Sequence, residues 1–212
     1  MTFNVCQDEQ RSADWFAARV GRVTGSRAGD VLATIKSGEA AARRDYRTQL
    51  VVERLTLQPQ EDGFINAAMQ WGIDQEANAF AAYESQTGNL VRRTGFLQAQ
   101  ELMVGCSLDG DIDNFAGILE LKCPKSATHL EYLRAGKSLP ARYLPQVTHN
   151  LWVSGAAWCD FASFDPRFPG PLQLHIVRVP RDEKAIATYE LAVSLFLSEI
   201  ERDVAEMLGV MA

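Results

Sequence analysis

Apolar positions along the chain keep a helical spacing up to about residue 89, alternate through the middle, and return to helical spacing near the end. Upstream, Trp15 to Val20 reads as a short amphipathic helix. TGS at 24–26 reads as a turn and helix start, and Glu39 to Leu57 as a long helix. A further helix is predicted from about Ile65 to Gln86, stopped by Gly88. Leu90–Leu97, Leu102–Cys106 and Gly117–Cys123 alternate like strands between turn residues. Helices near Ser126–Ala135 and Ala141–Ser154 follow, then strands over Ala157–Phe164 and Leu172–Val179, and a last amphipathic helix from Asp182 to Leu208. Helices around a central mixed sheet predict an α/β (α+β) core. One domain is expected over 1–212, with a helical part at about 12–88, a sheet-bearing part at about 89–180 and the terminal helix at about 182–208.

The alternating middle carries the candidate chemistry, in GCSLDGDIDNFAGILELKCP at 105–124. In an extended segment, residues two apart share a face, so Leu119 and Leu121 point into the core while Glu120 and Lys122 share the other face at the sheet surface. With Asp109 they form two carboxylates and an ammonium. Such carboxylates supply the hard oxygen ligands that Mg²⁺ takes in ones and twos, and the ion lowers the pKa of bound water and polarises a phosphoryl oxygen. The alternative is a salt-bridged turn. Asp111 and Asp113 read as solvated turn formers, and the second acidic-x-lysine triplet, Asp182–Glu183–Lys184, as a helix cap.

Two helices add to this. Met69, Ile73, Ala77 and Phe80 form an apolar stripe along which the Glu76 carboxylate points, so Glu76 needs a partner, in a salt bridge or at a metal. In the later helix Leu144, Val147 and Leu151 form a packing face. Tyr143, Gln146 and Asn150 line up beside it, either as contacts to DNA phosphates or ordered water, or as an exposed polar face. Near the start, RVGRVTGS at 19–26 offers Thr24 or Ser26 as a helix cap and Arg19 and Arg22 as charge, a candidate phosphate pocket or an ordinary capped turn.

Composition narrows the partners little. The 212 residues are 47% hydrophobic and 23% charged, an ordinary globular balance long enough to bury a core. A net charge of −6 gives no overall pull toward nucleic acid, so DNA binding must rest on local clusters. Candidates are Arg43, Arg44 and Arg47 on the long helix, Arg92 and Arg93, and Lys125, Arg134, Lys137 and Arg142. Cys6, Cys106, Cys123 and Cys159 are dispersed, as are the histidines, which argues for reduced thiols and against structural zinc. MTFNVCQDEQ lacks the basic and apolar regions of a signal peptide, and no run is long enough to span a bilayer, so a soluble intracellular protein is expected.

Taken in order, RVGRVTGS (19–26), WGIDQE (71–76), CSLDG (106–110), LELKCP (119–124), QV (146–147), FASFDPR (161–167) and RDEK (181–184) resemble the phage lambda exonuclease family of YqaJ-type viral recombinases, or alkaline exonucleases. The resemblance implies a restriction-endonuclease-like core with a PD-(D/E)xK site. It also implies a Mg²⁺-dependent 5′→3′ exonuclease (Mn²⁺ substituting) that turns linear double-stranded DNA into mononucleotides and a 3′ single strand. A toroidal homotrimer, a single-strand annealing protein as partner, and a phage or prophage origin with action in the bacterial cytoplasm are implied as well. By the same resemblance, Asp109, Glu120 and the Leu121 backbone carbonyl hold metal, and Lys122 positions water with Glu76 and Gln146 in support. Arg19, Ser26 and Ser107 hold the 5′-phosphate, Tyr143 contacts DNA, and Met69 is the wedge that parts the terminal base pair. Leu108, Ile73 and Gln75 depart from the family pattern. The competing readings are another RecB- or Cas4-like nuclease, or a catalytically silent DNA-end-binding protein.

Overall fold

The computed structural model describes residues 2–8, 10–60 and 66–209, so the expected helix start at Ile65 lies outside the described residues. The alternating segments form strands, but in two mixed sheets rather than one central sheet. The first contains β1 (Phe3–Cys6), β2 (Val23–Thr24), β4 (Phe96–Ala99) and β5 (Val104–Ser107), in the spatial order β1-β4-β5-β2. The second contains β3 (Val91–Arg92), β6 (Gly110–Ile112), β7 (Gly117–Lys122), β8 (Trp158–Phe164) and β9 (Leu174–Pro180), side by side in that order. Only β2–β5 and β7–β8 pair in parallel.

After the helical passage from β2 to β3, two short crossings join the sheets directly, from β3 to β4 and from β5 to β6, and so the expected single strand Leu90–Leu97 is two. At the first crossing Gly95 lies against β1 so closely that a Cβ there would sit 1.6 Å from the Cys6 carbonyl oxygen, an approach only glycine allows. At the second crossing stand Leu108 and Asp109, which places a carboxylate where the two sheets meet.

The helices are α1 (Ala13–Arg19), α2 (Ala28–Val31), α3 (Ala41–Thr56), α4 (Ala67–Thr87), α5 (Ser126–Ala135), α6 (Leu144–Ser154) and α7 (Glu183–Met207). Their ends follow local chemistry. Asn66 accepts from Ala68 and Met69 N–H at the start of α4, and Gly88, at φ 73°, ends it in the left-handed region. Asp182 accepts from Lys184 and Ala185 N–H, so the second acidic triplet does cap a helix. TGS behaves differently from the expectation. Gly25–Arg27 is a 3₁₀ turn leading into the four-residue α2, and neither Thr24 nor Ser26 caps it through its side chain. The expected helix at 141–154 likewise begins as a 3₁₀ turn, Ala141–Tyr143.

Two apolar clusters enclose β7. Ile118 packs with Val147, Leu151 and Trp152 of α6 and with Val193 and Phe196 of α7. Leu119 and Leu121 pack with Ala79, Phe80 and Tyr83 of α4. The alternation is as the sequence predicts, and each buried leucine contributes about 2 kcal/mol. The face that carries Glu120 is not a sheet surface, however, because α6 covers it. Leu144, expected in the packing face of α6, is 53% exposed at the helix start, beyond the edge of the core. Among the described residues, no helix is long and apolar enough to cross a membrane.

Candidate active site

Glu120 is 1% exposed, pressed between β7 and α6. A bare carboxylate there would be costly, and three donors meet it. Gln146 Nε2 donates to Oε1 at 2.6 Å and Asn150 Nδ2 to Oε2 at 3.0 Å. The Lys122 ammonium, two residues along the same strand face, closes an ion pair on Oε1. The stripe of Gln146 and Asn150 is therefore a clamp on Glu120 and not an exposed polar face. Asn150 can reach in because Gly25 leaves room: a Cβ on Gly25 would lie 2.3 Å from Asn150 Oδ1.

Asp109 arrives from the crossing between the sheets. Its Oδ2 accepts the Leu121 N–H at 2.6 Å, which fixes the carboxylate beside the strand that carries Glu120 and Lys122. Two carboxylates thus share one ammonium. Burial first, and then repulsion from Asp109, raises Glu120 to about 7 against the opposing pull of Lys122. For Lys122, burial pulls the ammonium down, but the Glu120 and Asp109 carboxylates outweigh it and hold it above its ordinary range.

Asp109 and Lys122 open on a cleft of about 310 Å³ whose walls include Met69, Ile73, Glu76 and Tyr143, with Glu120 buried behind them. Glu76 is not sunk in an apolar face. It is 40% exposed and meets Arg93 at 3.4 Å, while Arg93 lies 4.7 Å over the Phe80 ring. Met69 stands at the rim, 44% exposed. Tyr143 sits with its ring 5.7 Å from Lys122 Nζ, and its hydroxyl accepts from Arg142 at 3.1 Å. Cys123 also lines this cleft, its thiol pushed up to about 12 by burial and by the Asp109 and Glu76 carboxylates, so it stays a packed thiol. Cys106 and Cys159 are buried and free.

The expected phosphate residues come together in part. Trp15 Nε1 donates to Ser107 Oγ at 3.1 Å and Arg19 to the same oxygen at 3.5 Å, with the Arg19 guanidinium 4.1 Å over the Trp15 ring. Ser107 is two residues from Asp109, so this cluster adjoins the carboxylates. Ser26 is exposed and makes no hydrogen bond to the cluster. Arg22 is not available to an anion, since its guanidinium donates to the carbonyls of Ala99, Leu102 and Val104. Arg43 and Arg47 are also spent internally, on Glu39, Glu199 and Asp203. Asp111 is a correction of another kind. It is buried in β6, and Arg92, its cross-strand partner on β3, binds it through Nε at 2.7 Å and Nη2 at 3.2 Å. Asp113 does lie in a turn, at φ 51°.

Sequence reasoning had Arg93 only as a basic residue at a strand start, and Arg167 only as a motif letter. Arg167 binds the buried Asp165 through Nε at 2.7 Å and Nη2 at 2.9 Å and lies 4.3 Å over Trp71, tying the first half of α4 to the end of β8. Among the described residues, no group of three or more His, Cys, Asp or Glu side chains is arranged around a metal position. The donor set that exists, Asp109 and Glu120 with surplus negative charge and a nearby backbone carbonyl at Leu121, fits Mg²⁺, which is held by one or two carboxylates and keeps its waters.

The profile of the YqaJ-like viral recombinase domain matches residues 14–157. The chain is also similar to LHK-Exo, an alkaline exonuclease from Laribacter hongkongensis. The LHK-Exo structure in complex with dAMP is 37% identical with a TM-score of 0.83, and another LHK-Exo structure is 38% identical with a TM-score of 0.81. Each likeness covers 92% of this chain and 96% of the other. A phage-related exonuclease from Haemophilus somnus 129PT shares the fold at 16% identity and a TM-score of 0.68, over 88% of this chain and 96% of that one. ExoD of Escherichia coli (strain K12) is 30% identical over 71 residues, 34% of this chain and 80% of that protein.

Proposed function

The chain belongs to the YqaJ-like viral recombinase family, that of phage lambda exonuclease, and on this premise we propose that it is a Mg²⁺-dependent 5′→3′ exonuclease acting on linear double-stranded DNA. The observation that carries the reading is the unbalanced cluster at the cleft: Asp109 and Glu120 held beside each other, with Lys122 as the cation that pairs with them among the described residues. Mg²⁺, or Mn²⁺ in its place, would be held by Asp109, Glu120 and the Leu121 carbonyl, and when bound it supplies an activated water and charge for the phosphoryl oxygens.

The protein's own groups do the rest. Lys122, kept protonated, orients the attacking water and offsets charge that grows on the phosphate. Gln146 and Asn150 hold Glu120 in one rotamer, so its carboxylate is placed before DNA arrives. Arg19 and Ser107 receive the 5′-phosphate, Ser26 contributes from the exposed turn after β2, and Tyr143 packs against the strand beside Lys122. Met69, apolar and exposed at the rim, wedges the terminal base pair. Glu76, paired with Arg93, adds its carboxylate to the same cleft.

In this reading the chain works as one nuclease domain, assembled as a homotrimeric ring around the duplex. Basic groups line the channel of that ring, which reconciles DNA binding with a net charge of −6. Mononucleotides are released, and the remaining 3′ strand passes to a single-strand annealing protein for recombination, in the cytoplasm of a bacterial host of phage or prophage genes.

The test is digestion of linear duplex DNA with a 5′-phosphate, labelled at either end, in Mg²⁺ and then in EDTA. Loss of the 5′ label as mononucleotide, only with metal, is expected. Cutting of closed circles at the same rate, or activity that survives EDTA, overturns the reading, and a solution mass of a single 23.5 kDa chain overturns the trimer.

A further inference from the structure

Arg11 holds its backbone in the left-handed region, at φ 73°. For a long side chain that conformation is uncommon. The other non-glycine residues with positive φ have plain structural settings among the described residues: Leu57 ends α3, and Asp113, Asn114 and Phe115 make the turn between β6 and β7. Arg11 stands in a tight turn with Gln10, directly before Ser12, whose side chain caps α1, so the turn accounts for its backbone angle and its role is read from what its side chain meets.

What surrounds Arg11 is the cleft. It lines the chamber of about 310 Å³ that holds Lys122 and Met69. It equally lines a second chamber of about 420 Å³, which Arg93 and Thr94 help to close on the other side. The two chambers share Gln10, Arg11, Ile73, Glu76 and Asp109, so Arg11 stands at the waist between them, beside the carboxylates. Arg93, which shares the second chamber with it, is occupied by Glu76, and elsewhere Arg92 binds Asp111, Arg142 donates to two tyrosines and Arg167 binds Asp165. Arg11 makes no hydrogen bond or ion pair with any described residue. A guanidinium with its donors free fits an oxyanion with several acceptor oxygens.

We propose that Arg11 is a DNA-binding residue that grips a backbone phosphate of the strand being cut at the waist between the two chambers. The proposal rests on the nuclease reading above for the identity of the strand, and on the position and empty donor set of Arg11 for the contact.

The experiment is fluorescence anisotropy with a labelled linear duplex in EDTA, over a range of salt, with wild type, Arg11→Gly and Arg11→Lys, alongside thermal unfolding. Glycine accepts the left-handed conformation freely, so Arg11→Gly should unfold at a temperature no lower than wild type. It should bind DNA about tenfold more weakly, the loss of one charge-assisted contact, with the slope of log affinity against log salt reduced by about one. Arg11→Lys, which keeps the charge, should recover part of the affinity. Wild-type affinity and slope in Arg11→Gly overturn the proposal, and so does a fall in its unfolding temperature, which would mark Arg11 as a structural residue. A wild-type chain that binds the duplex yet leaves it uncut in Mg²⁺ would overturn the nuclease reading and leave the Arg11 contact standing.

Discussion

Glu120 on β7 and Asp160 on β8 lie on neighbouring strands of one sheet, and both are 1% exposed. Their surroundings differ in charge. Asp160 receives a bidentate Arg178, with both contacts at 2.8 Å, and the Tyr83 hydroxyl at 2.7 Å, while Arg178 itself lies 3.7 Å over the Trp158 ring. One carboxylate meets one guanidinium, and the site is closed. Glu120 has neutral amides and one ammonium, and it shares that ammonium with Asp109. Burial alone therefore separates nothing. A structural carboxylate has its charge matched, and the candidate catalytic one is left with negative charge in surplus, beside a cleft where a cation and a phosphate can enter.

Removing Lys122 should sharpen this contrast most. Lys122→Ala takes away the cation ion-paired with Glu120, and strand cutting should fall about 10³-fold with the fold intact, measured in single-turnover digestion.

Next in size is a control inside the core, away from either carboxylate. His149 is buried in α6, its Nε2 donating to the Gly105 carbonyl at 2.9 Å and its Nδ1 accepting from the Tyr189 hydroxyl at 2.8 Å, which assigns the neutral tautomer. Burial pulls this imidazole down to about 4. Protons then bind the unfolded chain before the folded one. Its contribution to stability is full above the unfolded value near 6.5, declines as pH falls, and is lost once pH passes below about 4, in total about 3 kcal/mol. Denaturant titrations between pH 7 and 4 measure it, and His149→Gln should flatten that part of the curve.

Asp160→Ala probes the matched carboxylate. It should cost about 2 kcal/mol of stability by leaving Tyr83 and Arg178 without their acceptor, while folded protein kept cold digests DNA at close to the wild-type rate. A collapse of activity in that folded variant would break the comparison.

Gly25→Ala should act from a distance. The added methyl displaces Asn150, loosens Glu120, and lowers kcat about tenfold with little change in KM. Met69→Ala carries the smallest effect, slower starts on blunt ends and none on ends already frayed.

Much of this was legible in the alternation. Leu119 and Leu121 set the facing of β7, so the pairing of Glu120 with Lys122 follows from period alone. The later helices follow from their apolar spacing and caps. The short strands β1, β2 and β6 were not legible. Gly110 and Asp111 are turn residues by preference, and the cross-strand Arg92, with the Phe115 N–H, makes it possible to bury Asp111 in a strand. Asn150 read as a polar face because nothing local announces that Gly25, far away in sequence, leaves room for it. The neutralisation of Arg43 and Arg47 by α7 is likewise a tertiary fact. Arg11 escaped because its distinguishing feature is its place at the waist between the two chambers, which only the folded chain sets.

The surplus charge at Glu120 is best tested by titrating Mg²⁺ into the DNA-free protein in a calorimeter, with wild type, Asp109→Asn and Asp160→Asn in parallel. Wild type and Asp160→Asn should bind the ion, and Asp109→Asn, with one carboxylate charge gone, should not. Binding of Mg²⁺ by Asp109→Asn with wild-type affinity would contradict the account.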